Sequence, residues 1–178
     1  MNVVADVVRA IGFFAHAMIA NATPLITRRF IFKNARPLDL GKTFIDGKRV
    51  LGDNKSIEGF LSGVLAGFAV GVAYALYFNN VSWAYYGLVS GLGAMIGDVF
   101  NSFLKRRLNI KPGKPFIPLD QTSFLLCAYA LVKISSADSI IGYTLTTYDL
   151  LIGVLIALVL HPLTNYVAYL LKIKKTPL

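Results

Sequence analysis

Residues 59–97 read GFLSGVLAGFAVGVAYALYFNNVSWAYYGLVSGLGAMIG, a stretch of 39 residues without a formal charge. A membrane-spanning helix needs about 20 apolar residues, so this stretch has the length of two spans. The pair Asn79-Asn80 near its centre predicts the turn between them. Six glycines recur at four-residue spacing within the two halves: Gly59, Gly63, Gly67, Gly71, Gly87 and Gly91. Small residues at this spacing let helix backbones approach closely in lipid, so we predict that the two spans pack together; such glycine faces would also permit a homodimer.

Three further apolar segments flank this stretch: Ala10–Thr27, Gln121–Ser136 and Leu150–Leu171. The last is an uncharged run of 22 residues, which would rise about 33 Å as a helix. Gln121–Ser136 is short and carries Lys133 near its end, so we expect a tilted or partly re-entrant helix there. Because 56% of the 178 residues are hydrophobic and only 15% are charged, residues 1–178 are predicted to form a single all-α integral membrane domain with about five transmembrane helices.

Basic residues are distributed unevenly among the loops. Sixteen of the 18 Lys and Arg residues lie in the loops at about 28–58 and 105–120 and in the C-terminal tail, whereas Arg9 and Lys133 lie on the other side. The positive-inside rule therefore predicts a cell-membrane protein with its N-terminus outside and its C-terminus in the cytoplasm. The predicted outer loops are at about 79–82 and 137–149. The net charge of +9 favours anionic partners, but basic loops are general in membrane proteins, and no nucleic acid partner is expected.

A polar stripe continues from the third predicted span. Five side chains at positions i, i+3, i+4, i+7 and i+8 share one helix face: Asp98, Asn101, Ser102, Lys105 and Arg106. Asp98 is the one carboxylate inside an apolar helix, and an ionisable group in the membrane favours a functional role. Oxygen ligands followed by cations suit a phosphate and its Mg²⁺ ion. The alternative is that Asp98 is a structural partner for an arginine.

A second carboxylate, Asp120, lies immediately before the fourth predicted span. If the third and fourth helices form a hairpin, Asp98 and Asp120 meet at the same membrane surface. Two carboxylates there would form a Mg²⁺ site suited to phosphoryl or nucleotidyl transfer. Aspartate is also a preferred helix N-cap, so capping is the alternative role for Asp120.

The first loop carries four weaker candidates for binding a nucleotide: Lys42, Asp53, Asn54 and Lys55. Their mixture of positive, negative and amide side chains suits phosphates and a polar base. The alternative is a solvated basic loop beside anionic lipid headgroups. Two histidines, His16 and His161, lie inside predicted spans and are expected to be structural, His161 beside Pro162 at a helix kink.

The run GDVFNSFLKRR at 97–107, with Gly113 and Asp120-Gln121 after it, resembles the signature of the membrane CTP:phospholipid cytidylyltransferases, in particular the archaeal CDP-archaeol synthase family. The chain length, the five predicted spans and the run GDNKS at 52–56 extend the resemblance over nearly the whole chain. The chain departs from the longer bacterial CDP-diacylglycerol synthase pattern, because the stretch from Asn109 to Pro118 lacks that pattern's Lys-Asp pair and His-Gly-Gly element.

The resemblance implies transfer of CMP from CTP to an unsaturated archaeal ether-lipid phosphate, 2,3-di-O-geranylgeranyl-sn-glyceryl 1-phosphate, giving CDP-archaeol and pyrophosphate. It implies that Asp98 and Asp120 hold Mg²⁺ as the cofactor, that Ser102 contacts the metal or a phosphate, and that Lys105 and Arg106 bind phosphates. The active site would then face the cytoplasm, at the surface of the bilayer that holds the lipid.

Two alternatives belong to other classes of protein. A small membrane transporter or channel subunit would also combine an intramembrane Asp98 with glycine-rich helices. A different CDP-lipid enzyme, such as a CDP-alcohol phosphatidyltransferase, would also be small and helical. That family requires Asp-Gly followed by Ala-Arg and two later aspartates, whereas Asp46-Gly47 is followed here by Lys48-Arg49-Val50.

Overall fold

Six helices follow one another in the computed structural model, which describes residues 2–174. They are α1 (Val3–Phe30), α2 (Ile57–Phe78), α3 (Ser82–Arg107), α4 (Leu119–Ile134), α5 (Ala137–Ile140) and α6 (Thr147–Leu170). Between residues 2 and 174 the only β-structure is two isolated bridges in the first loop, Pro37 with Ser56 and Thr43 with Arg49. The all-helical class predicted from the sequence is confirmed.

Four helices, α1, α2, α3 and α6, are long and apolar enough to cross a membrane. Helix α4 has 16 residues and would rise only about 24 Å, less than the usual hydrocarbon thickness of about 30 Å. It nevertheless returns the chain to the end of the bundle where α1 begins, because Asp149 in α6 lies 2.7 Å from Arg9 in α1. Five transmembrane helices therefore stay a prediction, with α4 as the short one.

The glycine spacing brings α2 and α3 into close contact, as the sequence predicted. A Cβ atom added at Gly67 would lie 2.6 Å from Cα of Gly91, a distance that real Cβ atoms do not reach. Two more glycines of α3 do the same for α4, since a Cβ at Gly93 would lie 2.6 Å from Cα of Ala128 and one at Gly97 would lie 2.7 Å from Cα of Phe124. This second approach holds the start of α4 beside the polar stripe of α3.

The two ends of the bundle differ in chemistry. At one end α1 packs on α6 and His16 is fully buried, with its Nδ1 atom 3.2 Å from the carbonyl oxygen of Phe13 and its ring stacked on Trp83. This burial fits the structural role expected for His16. At the opposite end α1, α3 and α6 end while α2 and α4 begin, and most of the lysines and arginines lie there. We call this the basic end.

Helix α1 changes partner on its way to the basic end. There it lies on α2, where the Thr27 and Ser62 hydroxyls are 3.0 Å apart. Helix α6 packs on α1 and α4, and between residues 2 and 174 it has no packing contact with α2 or α3. Within the described residues, α6 is therefore joined to the bundle through α1 and α4.

Candidate active site

Each of the two predicted carboxylates is paired with a lysine at the basic end. Lys55 Nζ lies 2.5 Å from Asp98 Oδ2, and Lys105 Nζ lies 2.9 Å from Asp120 Oδ1 and 2.8 Å from Asp120 Oδ2. All four side chains are mostly buried, with exposed fractions between 12% and 23%. The partner of Asp98 is thus a lysine of the first loop, 43 residues away in sequence. The alternative in which Asp98 pairs with an arginine is wrong.

Asp120 is held by α3 and by the chain before α4. Asn101 Nδ2 donates to its Oδ1 at 2.6 Å, and the Phe116 amide donates to its Oδ2 at 2.7 Å. The N-cap position of α4 is Pro118, and Asp120 is the second residue of the helix. The capping alternative for Asp120 is therefore wrong, because its side chain receives donors from Phe116 and from α3.

The amide of Asn101 leaves one oxygen without a partner. Asn101 is 4% exposed, and its Oδ1 atom is buried without a hydrogen bond among the described residues. A buried acceptor without a donor is costly unless a ligand or ion satisfies it. Asn101 lies on the stripe predicted from the sequence, but nothing in the sequence alone assigned a role to it.

The donor set at this point fits Mg²⁺. In the part of the chain that the structure describes, no group of three His, Cys, Asp or Glu side chains is placed to hold a metal. Mg²⁺ is commonly bound by one or two carboxylates, with water and substrate phosphates completing the octahedron. Asp98, Asp120 and the unpartnered amide oxygen of Asn101 are oxygen donors of the kind that such a site uses.

Arg106 and Ser102 are the remaining predicted residues of the stripe. The Nε atom of Arg106 is buried without a partner, and its guanidinium group lies against Gly52 of the first loop. Between residues 2 and 174, no carboxylate forms a salt bridge with Arg106, which leaves its charge available for a phosphate. Ser102 is half-buried, and its hydroxyl makes no side-chain hydrogen bond with the described residues.

A buried aspartate in the first loop, Asp39, organises the loop. Its carboxylate accepts hydrogen bonds from the Arg49 guanidinium at 2.7 and 3.2 Å and from the amides of Gly41, Leu51 and Gly52 at 3.0 to 3.1 Å. Burial acts to raise the pKa of Asp39, but these donors outweigh it and hold the pKa well below its usual range. Sequence reasoning missed this residue, because its donors come from up to 13 positions away.

Arg107 fastens the first loop to the end of α3. Its guanidinium group lies 4.9 Å from the ring centroids of both Phe44 and Phe103. It also donates to the Arg49 carbonyl at 2.6 Å and to Asp46 Oδ1 at 3.0 Å. The loop is thereby positioned so that Lys55 reaches Asp98.

Of the four nucleotide candidates in the loop, Lys55 alone contacts one of the two predicted carboxylates, Asp98. Asp53 is exposed and forms a salt bridge with Arg49 at 3.0 Å. Lys42 and Asn54 are exposed, and their side chains have no hydrogen bond or salt bridge with the described residues. Their roles in binding a nucleotide stay predictions.

Comparisons with known proteins identify the family. The family model described as CarS-like: CDP-archaeol synthase matches residues 3–178. The chain belongs to the CDP-archaeol synthase family. Curated relatives named CDP-archaeol synthase include one from Aeropyrum pernix, 42% identical with 97% of this chain and 92% of the relative covered. Another, from Sulfurisphaera tokodaii, is 40% identical with 99% of both chains covered.

A solved structure shows the same fold. It is described as an intramembrane enzyme for archaeal membrane lipid biosynthesis, with a TM-score of 0.77 and 40% identity over 89% of this chain and 94% of that chain. The resemblance expected from the 97–107 motif is thus confirmed. As a member of the CDP-archaeol synthase family, the protein is a multi-pass membrane enzyme of the cytidylyltransferase type, and a transporter or channel subunit is excluded as its main function.

In this member of the CDP-archaeol synthase family, the chain after α6 adds a lysine that sequence reasoning missed. The amides of Ile173 and Lys174 both donate to the Ala168 carbonyl, at 2.8 and 3.1 Å, and this turn folds the chain back at the basic end. Burial lowers the pKa of Lys174, the Asp120 charge opposes that shift, and the Lys105 charge adds to it. Lys174 therefore lies near the Lys105–Asp120 pair, a position that its local sequence does not indicate.

Proposed function

We propose that the protein transfers CMP from CTP to the phosphate of 2,3-di-O-geranylgeranyl-sn-glyceryl 1-phosphate, forming CDP-archaeol and pyrophosphate. The observation that carries this proposal is the pair of lysine-bound carboxylates, Lys55–Asp98 and Lys105–Asp120, beside the unpartnered oxygen of Asn101. Family membership supports the same reaction, because relatives about 40% identical over nearly the full length are named CDP-archaeol synthase.

Three residues would hold the metal: Asp98, Asp120 and Asn101 through Oδ1. When bound there, Mg²⁺ supplies positive charge that polarises the phosphates at which the reaction takes place. These residues come from α3 and the start of α4, and the helix contact at Gly97 fixes their separation. Rigid helices hold such a site more accurately than loops do.

Both substrates are anions, so the site needs positive charges to reduce the repulsion between them. Lys105, Lys55 and Arg106 lie at the basic end, where they can neutralise the phosphates of CTP and of the lipid. Fixed positive charges in a partly desolvated site stabilise the charge that accumulates in the transition state. A phosphate monoester is already a nucleophile, so the reaction needs neither a covalent enzyme intermediate nor a strong general base.

The two substrates approach from different phases. The lipid lies in the bilayer and CTP is dissolved in water, so the reaction has to occur where the membrane ends. We propose that the basic end faces the cytoplasm, which puts Val3 at the outer side and the end of α6 at the inner side. The concentration of lysines and arginines at that end supports this orientation.

The test is pyrophosphate release by the purified protein in detergent with Mg²⁺, CTP and the geranylgeranyl ether-lipid phosphate. Release is expected to require all three components and to fail in Asp120→Asn, which keeps the size of the side chain and removes its charge. Release without the lipid, or full activity in D120N, would contradict the proposed reaction or the role of Asp120. A melting curve of D120N like that of the wild type shows that the variant is folded.

A further inference from the structure

Helix α6 packs on α4 beside the proposed site, and the proposed reaction assigns none of the residues of α6. The ring of His161 in α6 is stacked on Phe124 of α4, at 6.3 Å between ring centroids and 30° between ring planes. Phe124 comes four residues after Asp120 in α4, which is one helical turn farther from the basic end. The His161 ring is thus placed one turn deeper in the bundle than Asp120.

The ring lies within electrostatic range of the charged groups of the site. It lies close enough to Asp120, Asp98 and Lys55 to interact with their charges, although α6 itself does not pack on α2 or α3 within residues 2–174. The His161 carbonyl accepts a hydrogen bond from the Thr164 hydroxyl at 2.9 Å. Its ring nitrogens make no hydrogen bond with the described residues, so the imidazole has donor capacity that the fold does not use.

Helix α6 is long and apolar enough to cross the membrane, so the chains of a lipid substrate can lie beside it. The half-buried imidazole, next to this hydrophobic helix and to two carboxylate–lysine pairs, matches a molecule with a phosphate head and apolar chains. Val159 and Leu163, two residues to either side of His161, lie on the opposite face of the helix and are 66% and 52% exposed. They mark the surface of α6 that points away from the site.

We propose that His161 donates a hydrogen bond to the phosphate of the lipid substrate and so positions it at the membrane-facing edge of the site. This inference rests on the proposed function. His161 precedes the end of α6 by nine residues, about 14 Å of helix. Lys105 and Arg106 mark the opposite, water-facing edge, because they follow Asp98 by seven and eight residues in a helix that ends at Arg107. CTP enters from water and meets those cations first, whereas the lipid phosphate enters beside His161.

The experiment compares three substitutions of His161 in the full-length protein. His161→Phe keeps the ring that stacks on Phe124 and removes both nitrogens. His161→Asn and His161→Gln place an amide donor near the positions of Nδ1 and Nε2. KM for the lipid phosphate and KM for CTP are measured separately, and equilibrium binding of the lipid phosphate is measured without CTP. Val159→Phe, a phenylalanine on the lipid-facing surface of the same helix, is the control.

We expect H161F to raise KM and the dissociation constant for the lipid phosphate about tenfold, the effect of one lost hydrogen bond to a charged group. KM for CTP stays within twofold of the wild-type value, and H161N or H161Q restores lipid binding. Unchanged lipid binding in H161F, an increase in KM for CTP instead, or the same effect in V159F would overturn the proposal. If the wild-type protein binds the lipid phosphate but does not consume CTP, the proposed function is wrong. The role of His161 is then still tested by comparing the dissociation constants of H161F and the wild type for the lipid phosphate.

Discussion

Lys105 binds Asp120 through both carboxylate oxygens, at 2.9 and 2.8 Å. The two residues are 15 positions apart, and they meet because α4 lies against the glycine-bearing face of α3. A lysine so placed can hold the carboxylate in position and still present its remaining donor to a phosphate. The pair therefore links the metal-binding and the phosphate-binding parts of the proposed site.

Removal of this lysine should slow the reaction strongly. We expect Lys105→Ala to lower kcat/KM for CTP by about 100- to 1000-fold, the usual effect of deleting one donor to a transition-state charge. Lys33→Ala removes an exposed lysine from the first loop, outside the site, and should stay within twofold. The measurement is steady-state pyrophosphate release, and equal activities of the two variants would exclude Lys105 from the site.

If the unpartnered oxygen of Asn101 binds Mg²⁺, its removal should change the Mg²⁺ concentration that the reaction requires. We expect Asn101→Ala to raise the Mg²⁺ concentration for half-maximal activity by about tenfold, within the range found when groups that support a metal site are removed. Asn101→Asp retains an oxygen at this position and should need less Mg²⁺ than N101A. A titration of activity with Mg²⁺ checks both variants, and identical curves for N101A and the wild type would contradict the ligand role.

The Asp39 cluster should make the first loop sensitive to acid. Because the donors around it hold the pKa of Asp39 below its usual range, the ionised carboxylate stabilises the folded loop at any pH above about 4, its usual unfolded value. That stabilisation is lost as pH falls from there through the lower folded pKa. We expect the melting temperature of wild type to exceed that of Asp39→Asn by a constant amount from pH 7 to pH 5. The difference should shrink at pH 3, and a difference that grows on acidification would contradict the assignment.

The contact between Gly67 and Gly91 should not tolerate a methyl group. In Gly67→Ala the new Cβ would meet backbone atoms of α3, so α2 and α3 must separate, at a cost of about 1–3 kcal/mol or more. Gly12→Ala is the matched control, because a Cβ at Gly12 meets nothing within 4 Å and alanine is the better helix former. Melting in detergent should show G67A clearly lowered and G12A unchanged or raised. Equal melting temperatures would contradict the close packing.

Local periodicity was enough to predict the parts of the site that lie within one helix. The spacing of Asp98, Asn101 and Lys105 puts them on one face of α3, and the position of Asp120 before an apolar run puts it at the start of α4. The contacts that complete the site are tertiary, and no local pattern encodes them. Lys55 reaches Asp98 because Asp39 organises the first loop and Arg107 fastens that loop to α3.

Helices α1 and α6 begin earlier than predicted, because charged or polar side chains at their starts have partners. The first span was predicted over Ala10–Thr27, but α1 begins at Val3 because Arg9 pairs with Asp6 at 3.4 Å and with Asp149 at 2.7 Å. Charged residues therefore continue the helix there and do not end it. The last span was predicted from Leu150, and α6 begins at Thr147, since Thr146 and Asp149 form a reciprocal capping box.

Identification of the product tests the central claim most directly. Purified protein in detergent is incubated with Mg²⁺, CTP and 2,3-di-O-geranylgeranyl-sn-glyceryl 1-phosphate, and the lipid extract is analysed by mass spectrometry. We predict a lipid product whose mass exceeds that of the substrate by the mass of CMP minus one water molecule. This product should be absent without CTP and absent with D120N. A folded wild-type protein that forms no CDP-linked lipid under these conditions would contradict the proposed function.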